Sequence, residues 1–212
     1  MTPMLPQNVA PALGPDQTMR KAVLLAAVGL GIVFLFFAGP RWPEDDWRHD
    51  TIEGIGDALI VACILGRTWC SLYIGGRKNQ LLIADGPYSV SRNPLYFFSI
   101  LGAIGVGAQV GSVVTALLCG FIAWAVFLHT VLREEAALGA AFGDDYRAYL
   151  ARVPRFLPKP SLWHDLATVE VRPRVVLMTF VDALVFLIAI PLAESFEYAQ
   201  ISGFIPVLLT LP

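Results

Sequence analysis

Long apolar runs decide what this chain can fold into. Ala22–Ala38 is a stretch of 17 residues without a charge, and Ile52–Ile74, Pro94–Gly107, Val113–Leu132 and Val175–Ala193 follow it, separated by charged or turn-forming residues. About 20 apolar residues in helical form cross the hydrocarbon layer of a bilayer. A soluble domain carries about 25% charged residues, whereas this one carries 15%, with 56% hydrophobic. The expected fold is therefore an all-α integral membrane protein of about five transmembrane helices. The net charge of −2, with no basic tract, gives no footprint for nucleic acid, and membrane lipids are the expected surroundings.

Residues 1–19 carry four prolines, Pro3, Pro6, Pro11 and Pro15, and read as a flexible tail. Residues 20–80 read as a two-span anchor. Its first run, behind Arg20-Lys21, is a retained anchor or else a signal peptide. Trp42 and Trp47 in the next loop suit a membrane interface. The second run contains Asp57 and Arg67, charges that face a bundle interior or snorkel to the interfaces. Leu81-Leu82-Ile83 is too short to span and reads as a strand-like or interfacial segment.

Residues 81–160 hold the chemistry. Asp85-Gly86-Pro87 is a turn signal, Asn93 is a good N-cap, and Pro94 suits the first turn of a helix. Arg92, Asn93 and Tyr96 therefore ring a helix N-terminus, whose free N–H groups attract anionic or polar ligand groups. Pro94–Gly107 is short for a crossing, about 21 Å, and pairs with Val113–Leu132 as a helical hairpin in which Gly102, Gly105 and Gly107 permit close approach. Beyond it come Arg133-Glu134-Glu135 and then Leu138, Phe142, Tyr146 and Tyr149, whose spacing makes one helical face. This is expected to be an amphipathic segment on the membrane surface, broken near Gly143. Residues 161–212 read as a C-terminal span, with Asp182 inside it, and an interfacial or re-entrant tail from residue 198.

Lys and Arg counts orient the bundle. With five spans, twelve basic residues fall on one side and two, Arg41 and Arg48, on the other. The positive-inside rule places the N-terminus, the Gly86–Ser99 stretch and Glu134-Glu135 in the cytoplasm, in an inner or plasma membrane. Cys63, Cys70 and Cys119 lie in apolar segments, and His49, His129 and His164 are too far apart to form a local motif, so no disulfide framework and no metal is expected. A helix N-terminus with Arg92, beside a carboxylate pair, suits a zwitterionic ligand. S-adenosylmethionine has that charge pattern, and so do many amino acids.

Taken together, Gly-Pro-Tyr-x-x-x-Arg-Asn-Pro-x-Tyr, a hydrophobic hairpin, and Arg-Glu-Glu-x-x-Leu-x-x-x-Phe-Gly-x-x-Tyr-x-x-Tyr-x-x-x-Val-Pro-Arg strongly resemble the isoprenylcysteine carboxyl methyltransferase family and its relatives, the phospholipid N-methyltransferases. The resemblance covers about Leu81 to Pro158. It implies a helical membrane methyltransferase that uses S-adenosylmethionine, releases S-adenosylhomocysteine and takes a lipid-like acceptor sideways from the bilayer. By position, Tyr88, Arg92, Asn93, Pro94, Tyr96, Gly105, Glu134, Glu135, Tyr146 and Tyr149 would bind cofactor, with Glu134, Asn93 and Arg92 in catalytic roles and Arg155 in the lid or against headgroups. Asn93 stands where carboxyl methyltransferases usually have His, Phe98 where glycine is usual, which narrows the pocket, and Thr130 where Arg is frequent. The acceptor is a lipid amine or a prenylcysteine-like carboxylate. A strict carboxyl O-methyltransferase and a non-catalytic binding or assembly protein are the alternatives.

Overall fold

A computed structural model describes residues 38–40, 42, 46–74, 82–207 and 209–211. The expected tail and, apart from its last residue, the expected first span lie outside the described residues, as does 75–81. Six α-helices follow one another: α1 (Trp47–Ile74), the short α2 (Pro87–Val90), α3 (Pro94–Ala108), α4 (Val113–Arg152), α5 (Pro173–Leu184) and α6 (Ala189–Ile201). Two three-residue strands, Ala38–Pro40 and Leu209–Leu211, pair in parallel. Among the described residues three helical stretches are long and apolar enough to cross a membrane, α1, α4 and the continuous Pro173–Ile201, and α3 is a shorter apolar helix.

The second expected span begins earlier than its apolar run, at Trp47, because the polar first turn Trp47–Asp50 is already helical. The hairpin forms as its turn chemistry dictates. Ser112 caps α4 by accepting from the Thr115 N–H at 3.3 Å, an ordinary N-cap bond. At Gly143 the backbone adopts φ 54°, ψ −121°, a conformation that only glycine takes readily, so the helix turns there while Tyr146 and Tyr149 keep to the face that Leu138 and Phe142 began. That face buries Tyr146, Tyr149 and Val153 against Leu82, Ala84 and Leu162. The C-terminal span is interrupted by a 3₁₀ turn at Val185–Ile188. Pro191 has no N–H to give the Leu187 carbonyl one turn back, and the helix tightens there.

Helix contact rests on small residues. Gly56 of α1 faces Gly105 of α3 so closely that a Cβ on Gly105 would stand 2.6 Å from the Gly56 carbonyl oxygen and 2.9 Å from Ile60 Cγ1. The ring of Phe98 covers Gly66; it is turned onto α1 and does not narrow the site described below. Ile60, Ile64 and Ala183 form a buried cluster with Val106, Leu184 and Phe186 packed round it. Outside these contacts the helices present large apolar side chains outward, among them Leu65, Leu117, Phe121, Leu177 and Val181, as lipid-facing surface requires. Arg67 is turned into the α1–α3 interface, where it donates to Ser99 Oγ. Asp57 is exposed and accepts from Gln109 Nε2 at 3.2 Å. The two charges serve different ends of α1.

Gly105→Ala forces α1 and α3 apart and is expected to cost about 1–3 kcal/mol, read as a lower unfolding temperature in detergent. Gly54→Ala, on the same α1 but with no atom within 4 Å of the new methyl, is neutral or slightly stabilising.

Candidate functional site

The loop before α3 is held by a strap that follows α4. Gly86 sits at φ 56° with the Tyr73 ring against it, 2.2 Å from where a Cβ would be, so both conformation and space require glycine. Pro87 starts the short α2 and Pro94 starts α3. Pro154 stops α4, and the strap then runs alongside the loop. The Arg92 N–H donates to the Pro154 carbonyl at 2.8 Å, the Lys159 N–H to Val90 at 2.9 Å and the Gly86 N–H to His164 at 2.9 Å. Ser91 Oγ donates to the Phe156 carbonyl at 2.9 Å. Asn93 occupies the N-cap position of α3, but its side chain makes no cap: Nδ2 donates instead to the Arg155 carbonyl at 3.1 Å. The strap ends on α1, with Trp163 stacked on Trp69 at 5.6 Å and Tyr73 OH donating to Asp165 at 2.9 Å.

Loop, strap and the middle of α4 line a half-open cavity with about 820 Å³ of empty space, open solvent at its mouth included. Its walls include Tyr88, Arg92, Asn93, Tyr96, Glu134, Glu135, Tyr146 and Tyr149, with Ile74, Leu82, Ile83, Leu95 and Leu138 as the apolar part. Eight of the ten residues expected at a cofactor pocket thus come together. Pro94 is buried at the start of α3 and Gly105 is spent on α1, and neither lines the cavity. The apolar lining from Ile74, Leu82, Ile83 and Leu95 carries no sequence signal beyond hydrophobicity.

The carboxylate pair divides by neighbour. Glu135 Oε1 accepts from Arg92 Nη1 at 2.8 Å, and Arg155 grips Glu135 with Nε and Nη2, the shorter bond 2.8 Å. Side-chain exposure of Arg92 and Glu135 is only 14% and 12%, so the pair is shielded from solvent. Arg155 thus belongs to this clamp. Its guanidinium is held further above its ordinary pKa, first by the hydrogen bond to Glu135. Glu134 instead accepts from Tyr96 OH at 3.1 Å, whose ring lies 4.9 Å from Phe127. Tyr149 OH donates to the Tyr88 carbonyl at 2.7 Å.

Two buried polar atoms of the wall, Tyr88 OH and Arg92 Nε, have no hydrogen-bond partner among the described residues. Burial holds the Tyr88 phenol well above its ordinary pKa, so it stays a neutral donor. Buried polar groups without partners are rare and costly. These two lie in the wall of a cavity, where a bound molecule can satisfy them. The charges of Arg92, Arg155, Glu134 and Glu135 sum to zero, so the site as a whole favours a neutral or zwitterionic occupant over a simple anion.

Comparison with known proteins places this arrangement. The sequence model of the phospholipid methyltransferase family matches residues 59–145, from the middle of α1 through Glu134-Glu135. The cobalt-zinc-cadmium resistance protein CzcN of Cupriavidus metallidurans is 32% identical over 213 residues, covering all of this chain and 97% of that protein. The nickel-cobalt-cadmium resistance protein NccN of Alcaligenes xylosoxydans xylosoxydans is 28% identical over 193 residues, 91% of this chain and 90% of that one. Protein-S-isoprenylcysteine O-methyltransferase of Schizosaccharomyces pombe is 36% identical over 81 residues, 38% of this chain and 34% of that enzyme. No solved structure matches. On its whole-length match to CzcN and the methyltransferase profile over its central helices, the chain belongs to the isoprenylcysteine carboxyl methyltransferase and phospholipid methyltransferase family of integral membrane proteins.

Proposed function

We propose that this protein transfers a methyl group from S-adenosylmethionine to a lipophilic acceptor that enters from the bilayer, at a site on the cytoplasmic side. The observation that carries the proposal is the cavity wall itself, where unpaired donors, Tyr88 OH and Arg92 Nε, share one chamber with the Glu134 carboxylate. An amino-acid-like ligand with a carboxylate, an ammonium and a further cationic centre needs donors and an acceptor together, and this wall supplies both. S-adenosylmethionine, when bound, supplies an activated methyl on a sulfonium and a neutral leaving group.

The chain's own residues then have positional work. Arg92 and the first N–H groups of α3 hold a carboxylate. Tyr88 adds a neutral hydrogen bond. Leu82, Ile83, Leu95 and Leu138 keep water from the reacting centres, and orienting two reactants in such a chamber is a large share of the catalysis. Glu134, which accepts from Tyr96 OH in the cavity wall, faces an ammonium or takes the proton of an amine acceptor. Asn93 has an amide that cannot titrate, so it orients the Arg155 carbonyl and moves no proton. A carboxylate acceptor wants a fixed cation, and Thr130, whose hydroxyl turns back to the Val126 carbonyl, provides none. The amine acceptor is therefore favoured over the carboxylate. CzcN and NccN are named for metal resistance, and we assign this protein to the same physiological setting.

Purified protein in detergent is expected to bind S-adenosylhomocysteine with micromolar affinity by calorimetry. No heat and no thermal shift with either cofactor form would refute the enzyme reading in favour of a binding or assembly protein. Glu134→Gln is expected to lower methyl transfer by about 100-fold or more with the unfolding temperature unchanged; a wild-type rate would remove Glu134 from the mechanism. Membranes given methyl-labelled cofactor are expected to carry base-stable label in amine lipids, whereas volatile, base-labile label would establish an ester and the carboxyl methyltransferase. Glu135→Gln leaves two guanidiniums facing one another and is expected to destabilise the fold by about 3–5 kcal/mol, read as a fall in unfolding temperature.

A further inference from the structure

At the opposite end of the bundle the fold assembles a second polar cluster. His49 lies in the first turn of α1, some 25 residues before the cavity residue Ile74, which is about 38 Å along a helix. The ring is 97% buried (3% exposed), and Nε2 has no hydrogen-bond partner. It is pressed on one side by the α3–α4 turn, where a Cβ on Gly111 would lie 2.0 Å from His49 Cδ2. On its other side stand two carboxylates, Glu197 Oε1 of α6 at 3.4 Å and Glu53 Oε1 of α1 at 3.8 Å.

Neither contact carries a hydrogen bond to Nε2. The separations suit ligand atoms around one ion. Bonds of about 2.0–2.2 Å at tetrahedral angles separate neighbouring ligands by about 3.3–3.6 Å. All three atoms lie within 4.8 Å of one another. The surroundings are acidic as well, for Asp50, Asp57 and Glu194 each act electrostatically on Glu53. A buried imidazole nitrogen without a donor or acceptor, aimed between two carboxylates in a negative field, is placed as a metal ligand.

We propose that His49, Glu53 and Glu197 bind a divalent transition-metal ion, with water completing the coordination. One imidazole nitrogen and two carboxylate oxygens suit Zn²⁺ or Co²⁺. The ion ties the start of α1 to α6, so it braces the C-terminal span against the bundle. The site does not depend on the methyl-transfer reading.

The test uses the full-length protein in detergent, stripped of metal and titrated with Zn²⁺ by calorimetry and with Co²⁺ by its visible absorption. One ion per chain is expected, with a rise in unfolding temperature. Glu53→Gln and Glu197→Gln, both at partly exposed positions, should each weaken Zn²⁺ binding at least tenfold while the metal-free protein melts as wild type does. His49→Ala should abolish binding and the Co²⁺ spectrum. If that variant does not fold, the Glu53→Gln/Glu197→Gln pair decides. Wild-type affinity in both glutamine variants overturns the site. So does Mg²⁺ binding as tightly as Zn²⁺, the behaviour of an acidic patch without an imidazole ligand.

Discussion

The double grip on Glu135 is the interaction on which the site depends. Arg92 precedes α3, Glu135 lies in the middle of α4 and Arg155 follows the end of α4, so one carboxylate fastens three separate pieces of chain. With its side chain only 12% exposed, the pair sits where solvent screens it little, and removing one member leaves charge that water cannot reach. Around this clamp the backbone bonds of the strap to Val90, Gly86 and Arg92 follow as consequences. Backbone N–H and C=O groups shielded from water must find partners in the protein, and loop and strap satisfy each other.

The rest of the fold serves to bring α3 and α4 to that position. In lipid no hydrophobic force drives helices together, so contact depends on fit. Gly56 against Gly105 lets α1 and α3 meet backbone to backbone, and the buried Arg67–Ser99 bond fixes their register from the polar side. The C-terminal span reaches this pair through Ala183 and Phe186 and turns most of its surface outward.

Local patterns were legible, and distant pairings were not. The spacing of Leu138, Phe142, Tyr146 and Tyr149 announces one face because helical period is a property of neighbours, and Gly143 marks the bend because φ near +54° has few other tenants. Tyr88 through Tyr96 and Glu134-Glu135 were readable as two polar clusters at one mouth of a hairpin, and both line the cavity. What each glutamate does depends on Arg155 folding back at the head of a proline-rich strap, which no spacing encodes. The same limit explains Phe98. A ring at that position reads as filling the pocket until α1, with Gly66 beneath it, is in place. Gly105 is also a packing residue for this reason. His49 carries no motif because its partner Glu197 arrives from the last helix.

The clamp also shapes the choice of acceptor. Glu135 offsets one of the two cations Arg92 and Arg155, and Glu134 brings the cluster to neutrality. In the proposed reaction an anionic acceptor would find Arg92 already given to the cofactor's carboxylate and would meet Glu134 as a like charge. An amine meets the reverse. In the proposed reaction it would lose its proton toward Glu134 and lay its hydrocarbon against the apolar wall of Leu82, Leu95 and Leu138. Asn93 agrees with this arrangement. Its amide is already donated to the Arg155 carbonyl, so it stabilises the strap whatever the acceptor, and in the proposed reaction the acceptors are told apart by Glu134 in the cavity wall.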